Sequence, residues 1–251
     1  MSPRWIRRAI PADPTPGVSS FHLWWGGLPN DTAIIEAAAE INVIEPPAVS
    51  RLYFWALQVS FSDGRYNYGA AHTGLQWNPN FPRSRAVNWG GYAEPPVSRV
   101  FDGSVPDLPG SPADLNTRAF PWEPNCTYRF RVYRSAAGWR SEVTDTGSGL
   151  TTVIRDLYAE GDRLVSPTIW SEVFARCVDP PAAVRWSGLE VVLADGRRVS
   201  PSFVSTSFPS GGDCPNTDSL LENGALVQRT NTLRTGRDGG RIVLPDSEAP
   251  G

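Results

Sequence analysis

Apolar and polar residues alternate along most of this chain, which is the pattern of half-buried β-strands. The clearest example covers residues 127–145, where two alternating runs flank a Ser-Ala-Ala-Gly segment. Such a segment predicts a hairpin with a four-residue loop. That loop places Arg131 opposite Glu142 and Tyr133 opposite Arg140, so that opposite charges face each other across the two strands.

Ten further segments are short, rich in β-branched and aromatic residues, and bounded by turn residues, which indicates strands. Asp195-Gly196 between two of them predicts a tight hairpin. The predicted strands cover residues 21–25, 51–61, 66–77, 85–92, 151–158, 168–175, 184–194, 197–205, 225–230 and 241–244.

Residues 34–44 fit two structures. Ile34, Ile35, Ala38 and Ile41 have helical spacing, and three consecutive alanines favour a helix. The same segment also alternates as a strand does. We predict a strand, because Pro46-Pro47 ends the segment and strands surround it.

These elements predict an all-β protein, an antiparallel β-sandwich of concanavalin-like or jelly-roll type. No linker divides the 251 residues, so we expect one domain at 19–245. A Pro-rich irregular lead at 1–18 precedes it and a tail at 246–251 follows it. Residues 93–125 are predicted to be an unusually long loop.

Composition narrows the classes of function. All 23 basic residues are Arg, which excludes a Schiff-base lysine and a phosphate-binding Walker lysine. The net charge of −3 and the scattered arginines argue against nucleic-acid binding. No apolar run is long enough to span a membrane. No secretory leader is visible, so we expect a cytoplasmic protein, or an exported one if a leader was removed.

The three cysteines, Cys126, Cys177 and Cys214, match no zinc-binding spacing. In an exported protein we expect Cys177 and Cys214 to pair, whereas in a cytoplasmic protein all three would stay reduced.

Tryptophans beside amides and glycines suggest a ligand-binding face. Trp stacks on the apolar face of a sugar ring, and Asn and Gln bind its hydroxyl groups. The alternative is that these tryptophans pack in the core. The predicted glycan-binding residues are Trp55, Gln58, Gln76, Trp77, Asn88, Trp89 and Tyr92.

Three residues are weaker candidates for catalysis. Glycoside hydrolysis requires two carboxyl groups, which Glu142 and Glu172 could supply. Arg131 is the expected partner of Glu142, and Arg140 or Arg155 that of Glu172, which favours structural roles. His72 is a candidate general base. We expect no cofactor, although Asp102, Asp107 and Asp114 could hold calcium.

Residues 50–190 show a further pattern. An aromatic strand Tyr53-Phe54-Trp55 precedes Gly74-Leu75-Gln76, and Asn88-Trp89 is followed by a Tyr-Arg-Phe strand at residues 128–130. This order resembles an uncharacterised bacterial family with Gly-x-x-Gln, Phe-Ser-x-Trp and Tyr-x-Phe motifs. The resemblance implies a concanavalin-like sandwich, often attached to carbohydrate-active proteins. Here Asn88 departs from the family's Ser-x-Trp pattern, and no catalytic residue can be carried over.

The sequence therefore predicts a carbohydrate-binding β-sandwich without catalytic activity. Two alternatives remain: an enzyme acting on polysaccharide, either a hydrolase or a lyase, and a protein-interaction scaffold.

Overall fold

The structure is a computed structural model that describes residues 19–92, 116–136, 138–208 and 214–245. The predicted lead, the tail and most of the predicted loop lie outside the described residues, as do the three aspartates proposed for calcium.

All sixteen described strands pair antiparallel, which confirms the all-β prediction. They are β1 Ser19–Gly26, β2 Ile34–Glu45, β3 Tyr53–Ser62, β4 Asn67–Trp77, β5 Arg85–Tyr92, β6 Thr117–Ala119, β7 Thr127–Ser135, β8 Gly138–Asp145, β9 Thr151–Leu157, β10 Arg163–Val173, β11 Ala183–Leu193, β12 Arg198–Val199, β13 Phe203–Ser207, β14 Asp218–Glu222, β15 Ala225–Arg229 and β16 Arg241–Val243. A 3-10 turn at Pro82–Ser84 is the one helical element among the described residues.

The strands form two layers. The first layer has the order β16-β13-β1-β10-β3-β4-β5-β6. The second has the order β14-β15-β11-β2-β7-β8-β9, with β12 beside β11. Pairing of Leu164 in β10 with Ile34 in β2 joins the two layers at one corner.

The core lies between the layers, where alternate side chains of each strand meet. Leu57 of β3 and Ile41 of β2 are fully buried there. Thr73 Oγ1 of the first layer lies 2.7 Å from Ser141 Oγ of the second, which satisfies two hydroxyls inside this core.

Residues 34–44 form a strand, as predicted. β2 runs between β7 and β11, so both of its edges are hydrogen-bonded. This central position overrides the helical preference of Ala37, Ala38 and Ala39, all of which are buried.

Two strands of the structure were not predicted, and one predicted strand is divided in two. β6 and β14 are short strands in segments predicted to be loop or turn. The strand predicted at 197–205 is two strands, β12 and β13, which belong to different layers. Pro201 lies between them, and proline has no N–H for a continuous ladder.

On the outer face of the second layer, arginine and carboxylate side chains neutralise each other in ion pairs. Arg131 and Glu142 are cross-strand partners, as predicted, and Arg131 also binds Glu36 at 2.6 Å. Arg140 binds Asp156 at 2.8 Å. This arrangement gives Glu142 a structural role.

Cys177 and Cys214 form a disulfide, as expected for an exported protein, and Cys126 is a free, exposed thiol. In the described part of the chain no helix is long and apolar enough to cross a bilayer.

Candidate functional site

The outer face of the first layer differs from that of the second, because aromatic and histidine side chains replace the ion pairs. We call it the His–Trp face. Its members alternate with core residues along each strand and therefore point away from the core. They are Ser20, His22 and Trp24 of β1, Phe54, Ala56 and Gln58 of β3, His72 and Gly74 of β4, and Trp170 and Glu172 of β10.

Small residues make room for a large ring at the centre of this face. Trp170 pairs with Ala56, which in turn pairs with Gly74. A Cβ atom at position 74 would overlap the backbone of Trp55, so no side chain fits there. The indole of Trp170 can therefore lie over the two small neighbouring positions.

Trp170 contacts four side chains. Its ring centroid lies 4.9 Å from that of Phe54, 5.5 Å from that of His72 and 6.0 Å from that of His22. Its indole Nε1 donates a hydrogen bond of 3.2 Å to Gln58 Oε1. The bond leaves the Nε2 hydrogens of Gln58 as donors, since the amide oxygen is the acceptor that the indole uses.

Glu172 is a half-buried carboxyl group between Ser20 of β1 and Phe54 of β3. Within the described residues it has neither an arginine partner nor a hydrogen bond. Desolvation by burial raises the pKa of Glu172 above its ordinary value. The expected partners are engaged elsewhere: Arg140 binds Asp156, and Arg155 donates to Asn116.

His22 pairs with Trp170 and is therefore a diagonal neighbour of Glu172 on the same face. Burial lowers the pKa of His22 to about 4. The hydroxyl of Ser20 lies 3.5 Å from His22 Nε2, at the outer limit of a hydrogen bond. Burial thus shifts the two pKa values in opposite directions, that of the imidazole of His22 downwards and that of the carboxyl group of Glu172 upwards.

The three predicted ligand-binding tryptophans do not reach this face. Trp55 and Trp89 are core residues, 2% and 0% exposed, so neither can stack on a ligand. Trp77 is partly buried, and its Nε1 donates to the carbonyl of Val49.

The predicted amides Gln76 and Asn88 pair with Phe54 and Gly74 and therefore point to the same side of the first layer as the His–Trp face. Both are nevertheless buried, and they are bonded to Asn78 and Thr117 respectively. Gln58, His72 and Glu172 do come together on the His–Trp face, whereas Glu142 lies on the other layer. The side chain of Tyr92 is outside the described part of the structure.

Ser20, His22, Trp24 and Trp170 of the His–Trp face were not among the residues predicted from the sequence. The alternation that places two of them together is visible in β1, where His22 and Trp24 alternate with the buried Phe21, Leu23 and Trp25. Such an alternation puts the histidine and the tryptophan on the same outer side of the strand.

Among the described residues no group of three or more His, Cys, Asp or Glu side chains could hold a metal ion.

Neither a family model nor a curated protein matches this chain. Two solved structures are similar in fold. One is scytalido-glutamic peptidase with a transition-state analogue inhibitor, with a TM-score of 0.46, 12% identity, and coverage of 84% of this chain and 97% of the peptidase. The other is SCP-B, an eqolisin-family peptidase in complex with the tripeptide Ala-Ile-His. Its TM-score is 0.47 at 11% identity, covering 85% and 97%.

The predicted non-catalytic carbohydrate-binding function is wrong, because the two tryptophans proposed to stack on sugar, Trp55 and Trp89, are core residues. The solved structures reported above are peptidases and not carbohydrate-binding proteins. The all-β sandwich is confirmed, whereas its concanavalin-like or jelly-roll type stays a prediction.

Proposed function

We propose that this protein is a hydrolase that cleaves peptide bonds at acidic pH, with Glu172 as general acid and His22 as general base. The observation that carries the proposal is the diagonal placement of these two neighbours on the His–Trp face, where burial shifts their pKa values in opposite directions. Titratable groups whose surroundings push their pKa values in opposite directions mark acid and base roles in enzymes.

The two pKa shifts define the working pH. Above pH 4 the imidazole of His22 is neutral and can accept a proton. The pKa of Glu172 lies above its ordinary value, so its carboxyl group keeps its proton to a higher pH than an exposed glutamate does. Both groups are then in the form that catalysis requires. His72 is the third titratable group around Trp170 and lies on β4, two strands from Glu172.

The reaction follows from these proton positions. His22 takes a proton from water as the water oxygen attacks the carbonyl carbon of the peptide bond. Glu172 gives its proton to the amide nitrogen, and the C–N bond breaks to yield a carboxylic acid and an amine. The imidazolium of His22 then loses its proton and the carboxylate of Glu172 regains one, which restores the site. General acid and base groups each contribute about 10²–10⁴ in rate.

The geometry favours a peptide substrate over a glycoside. Glycoside hydrolysis generally uses two carboxyl groups on one site. Within the described residues Glu172 is the only carboxyl group among the residues around Trp170, because Glu142 lies on the other layer. Gln58 adds an amide donor suited to a peptide carbonyl, held in place by Trp170.

The test is cleavage at pH 4.5 of an unfolded basic protein that stays soluble there, such as reduced and alkylated ribonuclease A, followed by mass spectrometry of the products. We expect Glu172→Gln to lower kcat/KM by at least about 100-fold, because an amide cannot serve as the acid. Glu160→Gln makes the same chemical change at an exposed carboxyl group in the turn before β10 and should leave the rate unchanged. Absence of cleavage by the folded wild-type protein would overturn the proposal.

A further inference from the structure

The His–Trp face continues past β1 onto two more strands. Ser207 and Ser205 of β13 pair with His22 and Trp24, and Arg241 of β16 pairs with Ser205. Directly opposed residues of antiparallel strands point to the same side of a sheet. Arg241 therefore belongs to the same face as the proposed acid and base.

Arg241 is an exposed cation whose guanidinium group lies over an aromatic ring. Its guanidinium carbon lies 3.4 Å from the ring centroid of Phe203. The ring of Phe203 itself covers Gly26, where a Cβ atom would collide with it. A guanidinium stacked in this way keeps its N–H edge free for a carboxylate and loses little entropy on binding.

No acidic side chain neutralises Arg241 in the described part of the chain. On the outer face of the second layer, by contrast, Arg129, Arg131 and Arg140 each bind a carboxylate. An uncompensated arginine at the margin of the proposed site is a complementary charge for an acidic ligand.

Trp24 lies between this cation and the proposed site. Its ring stacks on His22 with centroids 5.7 Å apart and planes 17° from parallel, and the residue is 39% exposed. Its cross-strand partners, Thr168 and Ser205, are small and leave the indole accessible. The indole thus offers an apolar surface to a chain that runs from the site to Arg241.

The positions of His22 and Arg241 set the length of that chain. Two strand-to-strand steps of roughly 4.8 Å separate β1 from β16. Arg241 is level with Trp24, which is two residues of about 3.3 Å along β1 from His22, so the whole distance is about 12 Å. An extended peptide advances about 3.3 Å per residue, so about four residues cover this distance. We propose that Arg241, with Trp24 and Phe203, selects peptide substrates that carry a carboxylate about four residues from the bond that is cut. This inference rests on the proposed peptidase function.

Binding is tested without cleavage, in the Glu172→Gln protein. The probes are acetylated and amidated nine-residue Ala/Ser peptides with a single Glu, and the same peptides with Gln in its place, measured by calorimetry. We expect the Glu peptides to bind about fivefold to tenfold more tightly, as for one charge-assisted hydrogen bond. Because Arg241 is exposed, the preference should shrink at 0.5 M salt.

Two further variants test whether Arg241 causes the preference for Glu peptides. Adding Arg241→Gln should bring the Glu-to-Gln affinity ratio to about one. Adding Arg185→Gln, at an exposed strand arginine of the second layer, should leave the ratio as it was. Equal binding of Glu and Gln peptides, or a preference that survives Arg241→Gln, would overturn the inference.

Cleavage by the wild-type protein supplies the second measurement. We expect cuts to fall about four residues from Glu, and cuts placed without regard to Glu contradict the inference even if hydrolysis is rapid. Conversely, a Glu preference in binding without any cleavage would refute the peptidase proposal and leave the carboxylate-binding site intact.

Discussion

His22 and Trp170 are direct partners across β1 and β10, with ring centroids 6.0 Å apart. The indole shields one side of the imidazole from water, and Trp24 shields another by stacking on it. This burial disfavours the charged imidazolium. Trp170 is also two residues before Glu172 in β10, so its side chain lies beside both members of the proposed acid–base pair.

The first prediction concerns stability at low pH. The pKa of His22 is about 4 in the folded protein, below the 6.5 of an unfolded chain. Since the unfolded state binds the extra proton, the contribution of His22 to stability is complete above pH 6.5 and is lost as the pH falls to 4. The difference between these two pKa values corresponds to roughly 3 kcal/mol in the free energy of unfolding.

Urea unfolding of the wild type and of His22→Gln checks this value. The stability of the wild type relative to the variant should fall by roughly 3 kcal/mol between pH 7.5 and pH 3.5. A difference between the two proteins that is independent of pH would show that His22 titrates normally.

Glu172 should have the opposite effect. Its pKa is raised in the folded state, so its favourable contribution is present below pH 4.5 and is lost as the pH rises through the folded pKa. Glu172→Gln should therefore raise the melting temperature at pH 7 and leave it unchanged at pH 3. A lower melting temperature for the variant at pH 7 would mean that the carboxylate has a stabilising partner.

The hydrogen bond that crosses the core offers a double-mutant cycle. Thr73→Val leaves the buried hydroxyl of Ser141 without its partner and should cost about 1–3 kcal/mol. Adding Ser141→Ala removes the orphaned group and should recover part of that loss. Additive losses in the double variant would show that the two hydroxyls are not coupled.

The disulfide should stabilise the fold substantially. Cys177 and Cys214 are 37 residues apart, and closing a loop of this size is worth about 4 kcal/mol in the chain-entropy model. Replacing both by Ser should lower the free energy of unfolding by about that amount. Cys126→Ser, at the exposed free thiol, is the matched control and should change stability little.

The fold was largely predictable because alternation reports directly which side of a strand is buried. It predicted the hairpin at 127–145 and its register, and it predicted β2 despite the alanines. It did not predict β6 and β14, since strands of three to five residues in loop-like or turn-rich segments show too few alternations.

The site was only partly predictable from the sequence. In a strand, residues an odd number of positions apart point to opposite faces. Trp55 and Gln58 therefore could not line one surface, and neither could Asn88 and Trp89. The sequence does not reveal which strands become neighbours, so the meeting of His22, Gln58 and Glu172 required the pairing of β1, β10 and β3.

The pH dependence of kcat/KM for peptide cleavage between pH 3 and pH 8 tests the central claim most directly. A neutral His22 and a protonated Glu172 predict a bell-shaped profile, rising at about pH 4 and falling at a pKa above 4.5. In Glu172→Gln the residual activity should lose the falling limb. Activity that increases steadily to neutral pH, or full activity in that variant, would contradict the assignment of Glu172 and His22 as acid and base.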